Sequence, residues 1–125
     1  MHRILLREVI VDVPSAALDA SRRFWAEALA ASPRVVGDAG EFTSLDDAAA
    51  LPHVAVQDVG TTPARYHLDL ESDDVDAEVA RLVRLGGTEV CRGDGLVVVA
   101  DPAGLLLCVL PPESDEFATR SRAVE

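Results

Sequence analysis

Aromatic residues are scarce in this chain: three Phe, one Tyr and one Trp among 125 residues. A hydrophobic content of 49% argues against disorder, and the core has to be built mostly from Val, Leu and Ala. Long apolar runs are missing as well. The longest, GLVVVA and GLLLCVLPP, fall far short of a membrane span, and no signal peptide is read at MHRILLREVIV. A soluble, cytoplasmic protein with no membrane partner is expected. Positive charge is thin: 11 basic residues against 22 acidic ones give a formal net charge of −11. Such a field repels a phosphate backbone, so nucleic acid is not an expected partner. Solubility is the ordinary reading of the acidity, and attraction of a cationic ligand is the functional one. Cysteine is limited to Cys91 and Cys108. Without a CxxC pair a structural zinc knuckle is excluded, and reduced thiols are favoured over a disulfide.

What the chain does have is periodicity, and it occurs twice. LREVIVDVP (Leu6 to Pro14) alternates as a strand, with Val9, Val11 and Val13 on one side and Glu8, Ile10 and Asp12 on the other. Ser15 is placed to cap the helix that follows, whose stripe is Ala17, Leu18, Ser21, Phe24, Trp25, Ala28 and Leu29. At this spacing the Phe24–Trp25 pair reads as core rather than as a stacking platform for a ligand. Pro33 marks the helix exit, RVVGDAGEFTSLD reads as two short strands around a glycine-containing turn, and LPHVAVQDV as another strand. VGTTPA then has the composition of a linker. A second strand–helix pair follows in ARYHLDLESDDVDAEVARLVRLGG. Its strand runs from Tyr66 to Glu71, and Asp73 and Asp74 lead into a helix with the stripe Val75, Val79, Leu82, Val83 and Gly86. Acids at its start and Arg81 and Arg84 near its end suit the helix dipole, and Gly86 or Gly87 suits a left-handed cap. TEVCR and GLVVVAD flank the hairpin signal Gly93-Asp94-Gly95, DPAG is a turn, and LLLCVLPP is the last strand. The polar tail ESDEFATRSRAVE is expected to fray, with Phe117 the residue in it able to dock.

The order is therefore β-α-β-β-β, linker, β-α-β-β-β. It describes one domain over residues 1–112, with modules at 4–59 and 65–112, a linker at 60–64 and a tail at 113–125. Glu8-Val9 lines up with His67-Leu68, and Ala28-Leu29 with Arg84-Leu85, which indicates an internal duplication. One helix per three or four strands gives an α+β fold with the helices packed on a single face. By parity the other face carries Glu8, Ile10 and Asp12, then His67, Asp69 and Glu71, while Leu106, Cys108 and Leu110 share a side.

Three segments, EVIVDVPSAALDASRRFWAEAL, YHLDLESDDVDAEVARLVRLGGTEV and VVVADPAGLLLCVLPP, resemble the vicinal oxygen chelate superfamily. This is the fold of glyoxalase I, extradiol dioxygenases and bleomycin-resistance proteins, and the resemblance is to its small bacterial glyoxalase-like domains. It spans residues 6–111. It implies two βαβββ modules forming a concave mixed-sheet half-barrel with helices on the outer face, a homodimer, and a small-molecule ligand. In chelating members a divalent metal (zinc, iron, manganese or nickel) is held from the first and last strands of each module. Carried over, those places are Glu8, Gln57, His67 and Cys108. His67 matches; Glu8 replaces the usual His or Gln, and Gln57 is a weaker oxygen donor. In the pattern DP-x-GN-x-x-E, Leu105 stands where Asn is usual and Cys108 where the carboxylate is. Hard oxygen-bound ions want more carboxylate than this, so a degenerate site without metal is expected.

The expected pocket is Glu8, Ile10, Asp12, Gln57, His67, Asp69 and Cys108. His67 with Glu8 is the candidate catalytic acid–base pair, since imidazole titrates near neutrality. A Glu8–His67 hydrogen bond that merely ties the modules together is the equal alternative. Cys108 as a nucleophile needs an electropositive setting, which an acidic chain does not offer, so it reads as core. Asp12, Asp69 and Glu71 suit a cationic ligand or a solvated sheet edge, and His2 and His53 read as surface. Three functions fit these residues: a metal-independent small-molecule binder of the bleomycin-resistance type, a metal-dependent lyase, isomerase or dioxygenase, and a dimerisation or regulatory module. The scaffold does not choose among them, and whether the protein is an enzyme stays open. Small-molecule binding without an intact metal site is the expected function.

Overall fold

The computed structural model describes residues 1–50 and 52–125. Leu51, which opens the LPHVAVQDV run, lies outside the described residues. Two compact units are formed, one from Glu8–His67 and the other from Met1–Arg7 with Leu68–Glu125. Strands β1 (His2–Val13) and β5 (Arg65–Ser72) contribute residues to both. The fold is α+β, and the expected order β-α-β-β-β occurs twice.

In the unit of residues 8–67, β1 leads through a 3₁₀ turn at Ser15–Ala17 into α1 (Leu18–Ala28), then β2 (Ser32–Val36), β3 (Phe42–Asp46) and β4 (His53–Asp58). The strand order is β2-β3-β4-β1. Neighbours are antiparallel except β1 and β4, which run parallel with Val9 opposite Val54 and Val11 opposite Val56. Val11, Val13, Leu45, Val56 and Ala26 form one core, with Leu18, Trp25 and Leu29 packed against it. The valine side of β1 thus lies under α1, as the alternation requires. Two local expectations fail here. Ser15 does not cap the helix: its hydroxyl donates to Asp58 Oδ1 at 2.6 Å, and the 3₁₀ turn delays α1 to Leu18. The apolar stripe is also rotated. Trp25 and Ala26 face the core with Leu18 and Leu29, a set at i, i+7, i+8 and i+11, and this turns Phe24 outward at 63% exposure. The Phe24 ring meets Trp25 edge-on at 5.4 Å.

The other unit repeats the topology. Its elements are α2 (Val75–Arg84), β6 (Thr88–Gly93), β7 (Leu96–Ala100), β8 (Leu106–Leu110), α3 (Phe117–Arg120) and β9 (Arg122–Val124). The order here is β5-β8-β7-β6, with β5 and β8 parallel, so the first strand of each module again lies beside its last. Asp74 caps α2 by accepting from Ala77 N at 2.9 Å, and Gly86 ends it at φ +105°, a conformation that favours glycine. Val79 sits over Val97, Val99 and Val109. Full burial of each of these valines is worth about 1.5–3 kcal/mol. Asp94 and Gly95 both have positive φ, as the expected hairpin turn demands.

Three expectations for this unit change. Leu70 is buried, but Leu68 is 39% exposed and Tyr66, just before it on β5, is 62% exposed, so the Tyr/Leu row is covered only at its end. The tail does not fray. β9 pairs antiparallel with the start of β1, His2 opposite Val124, and Ser114 donates through N and Oγ to Glu71 at 2.9 Å each. His2 is not a surface residue: it is buried, with Nε2 2.6 Å from Glu78 Oε2, and Glu78 also takes two bonds from Arg81. His53 is exposed. Among the described residues no helix is long and apolar enough to cross a membrane.

Candidate functional site

Once Val11 and Val13 are committed to the core under α1, Glu8, Ile10 and Asp12 must emerge on the opposite face of the same unit. The parallel register brings His53 opposite Glu8, Ala55 opposite Ile10 and Gln57 opposite Asp12. On the next strand Phe42 lies opposite Gln57 and Ser44 opposite Ala55. Farther out, Arg34 and Asp46 form a bidentate pair at 2.6 and 3.1 Å. The guanidinium, helped by the Ser44 hydroxyl, holds the Asp46 carboxyl below its ordinary range.

Asp12 is the group on this face that calls for explanation. It is 1% exposed, and its Oδ2 lies 2.8 Å from His67 Nδ1 and 3.4 Å from Arg65 Nε. Its other oxygen, Oδ1, is buried without a hydrogen-bond partner among the described residues. Burying a carboxylate costs several kcal/mol unless its lone pairs are satisfied, so a half-satisfied one points to a missing partner. With Asp12 ionised, Nδ1 carries the proton and donates it to the carboxylate. The His67 side chain is 10% exposed, so its ring is held rather than free to turn.

The carboxylate placed on His67 Nδ1 is Asp12, while Glu8, expected as the partner of His67, sits opposite His53 across β1 and β4. Ile10 is fully buried beside Ala55. Asp69 and Cys108 belong to the other unit, where they are register neighbours across β5 and β8. In that register Cys108 stands to its module as Ala55 does to the first, since Ile10 lines up with Asp69; Gln57 lies two residues farther along β4. Glu71 is fully buried and occupied by Ser114, with Arg7 at 3.5 Å, which makes it a clasp for the tail rather than a ligand group. Both cysteines are free thiols, Cys91 exposed and Cys108 half-buried. A hollow of about 620 Å³ elsewhere in the first unit is lined by α1 and β2–β3 residues such as Arg23, Ala26, Pro33 and Val35.

The family model for the glyoxalase-like domain matches residues 8–110. The chain belongs to the glyoxalase-like domain family. It is thereby a member of the vicinal oxygen chelate superfamily. Among solved structures this glyoxalase-like chain is similar to methylmalonyl-CoA epimerase from Mycobacterium tuberculosis, at 18% identity and a TM-score of 0.49 over 91% of each chain. A glyoxalase I variant from Zea mays is 19% identical, with a TM-score of 0.31 over 84% of this chain and 45% of that one. The bleomycin resistance determinant encoded on the transposon Tn5 is 17% identical, with a TM-score of 0.31 over 84% and 97%. Comparison with curated protein sequences gives no match.

Proposed function

We propose that this glyoxalase-like domain binds a small molecule on the face carrying Asp12 and His67, and that binding does not depend on a resident metal. In this reading Asp12 Oδ1 takes a cationic or hydrogen-bond-donating group of the ligand, and the His67 imidazole, oriented by Asp12, accepts or shuttles a proton. The observation that carries it is the buried, unpartnered Asp12 Oδ1 beside an oriented imidazole. Arg65, 3.4 Å from Asp12, supports the metal-free form, because a second cation at this carboxylate would meet its charge. The test is calorimetric titration with a panel of cationic and hydroxylated small molecules, with and without chelator. Binding is expected to survive chelator and to be lost in His67→Gln; a panel whose affinities all ignore that substitution rules the assignment out.

A metal-dependent lyase, isomerase or dioxygenase is a second reading, favoured by the Asp12–His67 hydrogen bond. A carboxylate on one imidazole nitrogen is the usual way a metal-bound histidine is oriented. His67 would then hold the ion through Nε2, and the ion would supply Lewis-acid polarisation of a ligand oxygen. Elemental analysis of protein purified without a polyhistidine tag separates the two: near-stoichiometric zinc, iron, manganese or nickel selects the second.

A further inference from the structure

We infer that the hollow between the start of β1 and the C-terminal segment is an anion site that takes a phosphate-bearing small molecule. The chain contains no lysine, so all 11 basic side chains are arginine. Arg7, Arg22, Arg34, Arg65, Arg81 and Arg92 each have a carboxylate oxygen at 3.5 Å or closer. The other five, Arg3, Arg23, Arg84, Arg120 and Arg122, have no such ion pair among the described residues, although acids outnumber bases twofold, 22 to 11. Three of these five, Arg3, Arg120 and Arg122, line one hollow of about 780 Å³, together with Leu5, Thr119, Ser121 and Ala123. That volume lies within the range of small-molecule sites.

Arg3 is held in place by neutral groups. Its Nε donates to Ser121 Oγ at 2.8 Å and its Nη2 to the Ser121 carbonyl at 2.6 Å, while Ser121 itself is 4% exposed. The nearby carboxylate of Asp73 is spent on the Arg3 backbone N–H at 2.7 Å. The guanidinium is thus oriented without being neutralised, and Nη1 remains to donate. A planar fork of this kind matches phosphate oxygens two at a time. Register divides the roles. Arg3 lies opposite Ala123, and Arg122 lies opposite Ile4, so Arg122 leaves the ladder on the other side from Arg3. We therefore give direct contact to Arg3 and Arg120, and to Arg122 only a share of the field.

The test is a ¹H–¹⁵N NMR titration of the full chain with inorganic phosphate and with glycerol phosphate, against sodium chloride at matched ionic strength. Saturable shifts are expected at residues 3–5 and 119–123, weakening as salt is raised. Arg120→Ala should reduce affinity about tenfold or more, and Arg122→Ala by only about two- to threefold. Both side chains are exposed, and thermal melts confirm that the variants fold. Shifts reproduced by chloride, an Arg120→Ala variant that binds like the parent, or saturation elsewhere in the chain would each overturn the assignment.

Discussion

Replacing Asp12 with Asn keeps the shape of the side chain and removes its charge, and the structure makes the outcome unusual for a buried residue. The hydrogen bond from His67 Nδ1, at 2.8 Å, is charge-assisted. Such bonds are worth about 1.5–3 kcal/mol and neutral ones about 0.5–1.5, so neutralisation forfeits about 1–1.5 kcal/mol. Against this stands the desolvation of a carboxylate that is 1% exposed and has one oxygen unpartnered among the described residues, a penalty of several kcal/mol for a buried ion. Arg65, at 3.4 Å and itself 49% exposed, offsets that penalty only in part. Asp12→Asn is therefore expected to be as stable as the parent or up to about 2 kcal/mol more stable. Asp12→Ala instead leaves the His67 nitrogen without its acceptor and should cost about 1–3 kcal/mol. Urea unfolding followed by Trp25 fluorescence measures both, since the indole packs against the core of the same unit. A loss of about 3 kcal/mol or more in Asp12→Asn, the cost of breaking a fully paired buried ion, would mean that Oδ1 has a strong partner and that the reasoning is wrong. Ligand affinity should fall in both variants, which separates the functional role of the carboxylate from its structural one.

Two further outcomes concern the second unit. Burial pushes the Glu78 carboxyl upward, but the hydrogen bonds and charges of Arg81 and His2 outweigh it and hold the group below its ordinary value. A depressed folded-state pKa stabilises the fold above the unfolded value, about 4.3, and the gain is lost as pH falls through the lower folded value. Acid unfolding followed by circular dichroism should be shallower in Glu78→Gln across that window, and an unchanged slope would exclude this linkage. Asp74→Ala removes the acceptor for Ala77 N and should lower stability by about 1 kcal/mol in urea melts, with no effect on ligand affinity.

The faces of the elements were legible in the order of residues, because alternation in a strand and the 3.6-residue turn of a helix are local properties. Val11 and Val13 went beneath α1 as their parity required, α2 began after Asp73 and Asp74, Gly86 of the two candidate glycines ended it, and the Gly93-Asp94-Gly95 turn closed a hairpin. The start of α1 was not legible, because Ser15 bonds Asp58, 43 residues away, instead of capping the helix, and a 3₁₀ turn intervenes. The burial of His2 and the docking of the tail were invisible for the same reason: β1 and β9 meet across more than a hundred residues. The site shows the limit most clearly. Parity puts Glu8, Ile10 and Asp12 on one face but says nothing of which of them reaches His67, since a shift of two or four residues leaves every side chain on the same side. Sequence pattern determined which face could carry chemistry; only strand register, set by packing in three dimensions, decided that Asp12 meets the imidazole and that Ala55, not Gln57, is the counterpart of Cys108.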